Sequence, residues 1–468
     1  MAPASTASDA RGAVDHVISA LRARFGERLD TSRAMRSQHA RGEGLGTSLP
    51  PDAVVFPLDK EEVCEILVLC NESRVPAIAY GAGSSLEGHV SAPFGGICID
   101  MSRMDAVLAV HTEDSECVVQ PGVTREALNA HLKGTGLFFP VDPGANASIG
   151  GMLSTRASGT TTMRYGSMVH NVMALEVALA DGRLIRLGTR ARKSSAGFDL
   201  VHLMIGSEGT LGIVTEATLR LHPLPVEVAA ATCAFPTLAA AVDAVTEMSA
   251  SGVPFARIEF LDEHQVRACN AHSHLGLPEL PTLFLEFHGT EAGVREQVEL
   301  AEAVAASHGT VGFAWATRPE DRSKLWRARH LAYFAALALR PGCDSIVADV
   351  CVPMSALADC VAHAREAIDR EGLVAPILGH VGDGNFHVLF MPMPDRPDEH
   401  EAVERVYGGM VARAHAVGGT CTGEHGVGLG KKSRLLAECG PDVVDLMRGI
   451  KRVWDPRSIL NPGKIFDL

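Results

Sequence analysis

The chain has 468 residues, more than one compact core usually organises, so two or three domains are expected. Its 46% hydrophobic and 21% charged fractions are those of an ordinary globular protein, which excludes a disordered or fibrous chain. A net charge of −14 argues against nucleic acid or an anionic membrane as the main partner, so an anionic substrate would need a local basic pocket.

Met1 to Ala10 has no basic or apolar leader region, and its acid fits an Arg-rich transit peptide poorly. The 11 cysteines contain no CxxC pair and lie mostly in apolar runs, which reads as reduced core thiols. No apolar run approaches the about 20 residues of a membrane span. Together these features predict a cytoplasmic protein.

Residues 1–50 read as an N-terminal arm: a helix over Val14–Phe25, then a polar, irregular stretch. Asp59 begins a second helix, in which Val63, Ile66, Leu67 and Cys70 fall at i, i+3, i+4 and i+7. A strand over Pro76–Tyr80 enters the loop Gly81-Ala82-Gly83-Ser84-Ser85. Such a loop offers backbone N–H groups and small hydroxyls to a phosphate or pyrophosphate, although it lacks the G-x-G-x-x-G spacing of a Rossmann turn. Strands follow at Ile97–Met101, Val107–His111 and Cys117–Gln120, with a helix over Thr124–Lys133.

The next segment is nearly uncharged and rich in glycine and hydroxyls. It includes Pro143, Gly144, Ser148, Ile149, Gly150 and Gly151, then Gly159, Thr161, Arg164, Tyr165 and Gly166. It makes poor core material yet is too apolar for an exposed linker. A bound cofactor, held by backbone and hydroxyl groups and covered by apolar atoms, accounts for both; a loop packed on itself is the alternative. Asp181-Gly182 joins a hairpin over Val172–Ala180 and Leu184–Leu187. A strand over Ala217–Leu221 then leads to Pro223 and Pro225, which mark a domain exit.

From Val226 strands alternate with helices. Strands are predicted at Ala256–Phe260, Leu283–Phe287, Gly312–Ala316 and Ile346–Val352. Helices are predicted at Leu238–Ala250, Val294–Ser307, Pro319–Ala338, Ser355–Glu371 and His400–Ala416. This grammar implies an α+β cap with helices on one side of a sheet. No internal repeat or low-complexity segment occurs.

Within the cap, Asp383-Gly384 predicts a type I′ hairpin turn between Ala375–Leu378 and Val388–Met391. Its register would set His380 opposite His387 on one face, where two imidazoles can share a divalent ion. Glu424, beside His425 in a glycine-rich loop, supplies a carboxylate and completes a two-His, one-carboxylate set with open positions. The alternative is a pair of hairpin histidines satisfied by carbonyls. His425 is left for proton transfer, and Arg329 is the candidate for a substrate carboxylate. The tail, Val453 to Lys464, is rich in turn residues and is expected to pack back onto the body.

Taken in order, Tyr80-Gly-Ala-Gly-Ser-Ser, Pro143-Gly-Ala-Asn, Gly206-Ser-Glu-Gly-Thr-Leu-Gly-Ile213, His380-Val-Gly-Asp-Gly-Asn-Phe-His387, Gly423-Glu-His-Gly426 and Asn461-Pro-Gly-Lys464 form a specific series. From about Val54 to the C-terminus the chain resembles the vanillyl-alcohol-oxidase/p-cresol-methylhydroxylase flavoproteins. Within them it resembles the branch of D-lactate dehydrogenases, glycolate oxidase subunits and D-2-hydroxyglutarate dehydrogenases. Leu325–His330, Ala335–Gly342 and Asp349–Pro353 look most like the cytochrome-type D-lactate dehydrogenases.

The resemblance implies an α+β protein: a two-lobed PCMH-type FAD-binding domain over 51–225, and a ferredoxin-like cap over 226–416. A segment over 417–468 would return to the flavin. It implies non-covalent FAD along Gly81–Ser85 and Ser148–Gly151, with Glu208, Gly209 and Ile213 toward the adenosine and Asn461 and Lys464 near the isoalloxazine. His89 is the only obvious candidate for a covalent tether. It also implies zinc or manganese on His380, His387 and Glu424, and oxidation of a D-2-hydroxy acid with His425 as base.

In the 2-hydroxyglutarate pattern a Thr and a Lys hold a second carboxylate. Here those places fall near Tyr333 and Val347, which favours a small side chain, as in D-lactate. Glycolate or D-2-hydroxyglutarate oxidation, a transferase like the alkyl-glycerone-phosphate synthases, and a metallohydrolase remain the alternatives. Cytochrome c, a quinone, an electron-transfer flavoprotein and a partner iron–sulfur subunit are the candidate acceptors, and docking on one of them is the alternative that would place the protein peripheral to the inner membrane.

Overall fold

A computed structural model describes residues 7–44 and 48–468. Part of the N-terminal leader reading (residues 1–6) and part of the polar arm (residues 45–47) lie outside the described residues. The chain forms two compact units that interleave in sequence. One comprises the chain through Ala157, Ser167–Pro223 and Glu424–Leu468; the other comprises Ser158–Gly166 and Leu224–Gly423.

The first unit contains two sheets. In the smaller, the strands run Leu29–Asp30, Ala53–Val55, Ile97–Asp100, Ala77–Tyr80, with the last three parallel. The helix Lys60–Ser73 is capped by Asp59, whose side chain accepts the N–H of Glu62 at 2.9 Å. It buries Val63, Ile66, Leu67 and Cys70 in a core shared with these strands. Burying each large aliphatic side chain contributes about 1.5–3 kcal/mol, which outweighs the left-handed turn at Arg74 that ends the helix.

The larger sheet is antiparallel, in the order Val107–His111, Glu116–Val119, Ile213–Arg220, Val172–Ala178, Leu184–Gly188. The tail packs on this unit as predicted: Ala77 donates to the Ile459 carbonyl, and Asn461 N–H to that of Ala77. A helix over Lys432–Trp454, kinked at Gly440 before Pro441, carries the chain there. Its buried Lys451 donates to Thr210 and Leu460 carbonyls and pairs with Asp455.

The second unit is built on a seven-stranded antiparallel sheet. Its order is Gly312–Ala316, Glu227–Ala234, Thr282–Gly289, Phe255–Leu261, Ile377–Gly379, Asn385–Phe390, Ile346–Cys351. Side chains alternate across it. Ile258, Phe260, Leu285, Phe287, Val350, Phe386 and Val388 join one core with the helices Leu238–Ala250, Glu291–Ser307, Leu357–Glu371 and Pro397–Ala416. The intervening positions are Arg257, Glu259, Glu286, His288, Asp349 and His387, so the opposite face is charged. Contrary to a one-sided cap, helices also cover part of that face, packing through Val266, Trp326 and Ala335. The single predicted helix over Pro319–Ala338 is two, divided at Leu331.

The predicted type I′ hairpin does not form. Val381–Asp383 makes one turn of 3₁₀ helix, only Gly384 has the positive φ (76°), and His387 pairs with Leu378 rather than His380. A type I′ turn needs positive φ at both central residues, and Asp383 does not adopt it.

Candidate functional site

Within the second unit the two hairpin histidines still converge. The 3₁₀ turn brings the His380 ring to 5.4 Å from that of His387, edge to face. Each ring is backed by a fully buried carboxylate. His380 Nδ1 lies 2.7 Å from Glu259 Oε1, and His387 Nδ1 lies 3.4 Å from Asp349 Oδ1. A carboxylate behind Nδ1 fixes the ring and directs Nε2 forward, the usual arrangement around metal-ligating histidines. Asp349 also accepts from Asn385 Nδ2 (2.8 Å) and the Thr422 hydroxyl (3.0 Å). A Cβ at Gly423 would fall 2.1 Å from Asn385 Nδ2, so only glycine lets the chain pass there on its way to Glu424.

Arg329 is buried and pairs with the same Glu259, Nη2 to Oε2 at 2.5 Å, while its Nε has no hydrogen-bond partner among the described residues. Gly159, Thr161, Arg164, Tyr165 and Gly166 belong to this unit and not with the loops that precede them. Arg164 donates to the Pro254 carbonyl, and the Tyr165 hydroxyl lies 2.7 Å from His288 Nδ1. His288 Nε2 lies 2.8 Å from Glu286, which also faces Arg257. Burial opposes the charge on Glu286, but Arg257 and His288 hold its carboxyl below the usual range; burial raises the Tyr165 hydroxyl.

In the first unit the strand Ala77–Tyr80 delivers Gly81–Ser85 against the start of the helix Ile149–Ser154. A Cβ at Gly81 would lie 2.2 Å from Ser148 Oγ, which caps that helix by accepting the Gly151 N–H. One at Gly83 (φ 70°) would lie 2.1 Å from the Tyr80 hydroxyl. Gly150 packs against Pro121, and a Thr124–Ser148 bridge ties the loop after Pro143 and Gly144 to this corner. Small residues of the two loops thus pack directly against one another where Cβ atoms would clash, leaving a corner with few bulky side chains, which fits the close approach of a dinucleotide cofactor.

Glu208, Gly209, Asn461 and Lys464 also come together. Asn461 Nδ2 donates to the carbonyls of Glu208 and His89, and Lys464 Nζ to that of Ser91 and to Asn461 Oδ1. Burial lowers the Lys464 ammonium to about 8. Ile213 opens the central strand of the larger sheet, buried. His89 stands beside Glu208, and His425 beside Glu424, Nε2 to Oε1 at 3.5 Å.

Glu259, Asp349 and His288 carry no role in the sequence reading. The signal was there for the first two: an acid inside a largely apolar strand costs too much to bury without a partner. No disulfide occurs among the described residues, and none of their helices is long and apolar enough to cross a membrane.

Residues 51–188 match the family described as FAD binding domain, and residues 224–465 the one described as FAD linked oxidases, C-terminal domain. The chain is 47% identical over 460 residues to a probable mitochondrial D-lactate dehydrogenase of Danio rerio, covering 97% of this chain and 93% of that one. It is 46% identical to the mitochondrial D-lactate dehydrogenase [cytochrome] of Arabidopsis thaliana, covering 89% and 73%.

Among solved structures, p-cresol methylhydroxylase superposes with a TM-score of 0.77 at 19% identity, covering 98% of both chains, and shares the fold. The cytoplasmic setting expected from the sequence is corrected by the relatives: those of zebrafish, Arabidopsis, Kluyveromyces lactis and Saccharomyces cerevisiae are all described as mitochondrial. Reduced thiols could not have separated the two, because they are expected wherever a compartment is kept reducing. With both family matches and nearly full-length relatives, the chain belongs to the FAD-linked oxidases of the PCMH-type fold, in their D-lactate dehydrogenase branch.

Proposed function

We propose that this protein oxidises a D-2-hydroxy acid, D-lactate to pyruvate in the first instance. The names of its relatives support the substrate class, and the pairing of two carboxylate-backed histidines carries the reading of the site. His380, His387 and Glu424 are assigned to a divalent metal, zinc or manganese, whose bound form would orient the hydroxy acid and lower its hydroxyl pKa. Gly81–Ser85 and Ser148–Gly151 are assigned to non-covalent FAD, which accepts the Cα hydride when bound.

The chain's own residues do the rest. His425 takes the hydroxyl proton, working near the natural imidazole pKa. Arg329 offers its unpartnered Nε–H to the substrate carboxylate while Glu259 holds the guanidinium in place. Tyr333 and Val347 provide no second cation, which favours lactate over a dicarboxylate; the Tyr333 hydroxyl donates to Ser345 instead.

The names of three relatives support a cytochrome as electron acceptor, and four support a mitochondrial setting. Anaerobic D-lactate should bleach the flavin absorbance of the purified protein. A spectrum unmoved by D-lactate, glycolate and D-2-hydroxyglutarate alike would defeat the proposal.

A further inference from the structure

Glu208 is 4% exposed and holds φ 53°, a left-handed conformation that glycine adopts without cost and glutamate does not. A strained, buried acid persists when its side chain has work that glycine could not do. Both carboxylate oxygens are engaged by the returning segment of the same unit. The N–H of Val427 donates to Oε1 at 2.7 Å and that of Gly428 to Oε2 at 2.9 Å. His89 Nε2 lies 3.3 Å from Oε1 and is itself 5% exposed.

Gly426 fits because it lacks a side chain: a Cβ there would stand 2.8 Å from both Glu208 Oε1 and His89 Nε2. The far side of the loop is fixed as well, Leu429 N–H donating to the Glu87 carbonyl and Lys431 Nζ pairing with Glu87 at 3.0 Å. Glu424 and His425 immediately precede this clamped stretch.

We infer that the buried His89–Glu208 pair is a positioning device, which sets Glu424 and His425 by gripping the backbone of Val427 and Gly428. The inference rests on the roles proposed above for those two residues. Glu208 and His89 touch no substrate in this account; they act through the loop.

The test uses the full-length flavoprotein and Mn²⁺ alone as probe. Glu208→Gln keeps the size of the side chain but loses the charge and one of the two acceptors. We expect a folded flavoprotein with Mn²⁺ affinity weakened about tenfold in competition with a chelator, and kcat per bound flavin lowered about tenfold. Unchanged Mn²⁺ affinity overturns the inference. If Glu208→Gln does not fold, His89→Gln carries the same test, with a loss of about threefold expected and an unaltered affinity decisive against it. A wild-type protein that binds no divalent metal would sink the proposed site itself. A metal-binding wild type with an equally tight Glu208→Gln would sink the positioning role alone.

Discussion

Two strands of the cap sheet each carry an acid that is fully buried, Glu259 and Asp349, and each acid stands behind one histidine. An isolated buried carboxylate is costly, so these two are retained for what they hold. Glu259→Gln or Asp349→Asn should leave the fold in place and weaken metal binding by about 10–100-fold, measured by competition with a chelator. Unaltered affinity in both would reduce the pair to a structural role.

At the flavin cradle, Gly81→Ala pushes a methyl onto Ser148 Oγ, and the absorbance ratio of the purified protein should show a marked loss of bound flavin. His39 offers a stability test. Burial lowers its pKa, but the hydrogen bonds to Asp100 and the Met35 carbonyl outweigh burial and leave it raised. A raised folded pKa gives stability that is complete below the unfolded value of about 6.5 and is lost as pH rises through the folded one. The deficit of His39→Gln in melting temperature should therefore be larger at about pH 5.5 than at about pH 8.5.

Elements differ in how plainly the sequence announces them. Lys60–Ser73 is legible because cap, period and buried face agree, and Asp59→Ala should cost about 1 kcal/mol in chemical denaturation. The strand Gly312–Ala316 and the helix Leu238–Ala250 also fall where predicted. Glu227–Ala234 was not read at all. Its run of alanines has neither period nor strong β preference, and pairing on both edges makes it a strand. Lys432–Trp454 escaped because Gly440-Pro441 reads as a stop, whereas the structure turns it into a kink. The hairpin reading named the right histidines on the wrong geometry: a 3₁₀ turn, not facing register, brings the rings together.

Over the whole molecule, separate cores in the two units predict unfolding that is not two-state. Scanning calorimetry should show a calorimetric enthalpy above the van't Hoff value. Dialysis against a chelator should abolish turnover of D-lactate while leaving the flavin spectrum, with Mn²⁺ or Zn²⁺ restoring it; full activity in the metal-free protein would remove the metal from the mechanism.

By itself the sequence determined what is local: glycines where backbone must pass closely, capped and periodic helices, and a collinear series of motifs pointing to a flavin and a paired-histidine site. Tertiary structure decided what comes from afar. Glu259 reaches His380 across 121 residues, and Glu208 reaches Gly428 across 220. No local pattern encodes which buried charge answers which, because that choice is made only when strands and loops close and every buried carboxylate must find a donor.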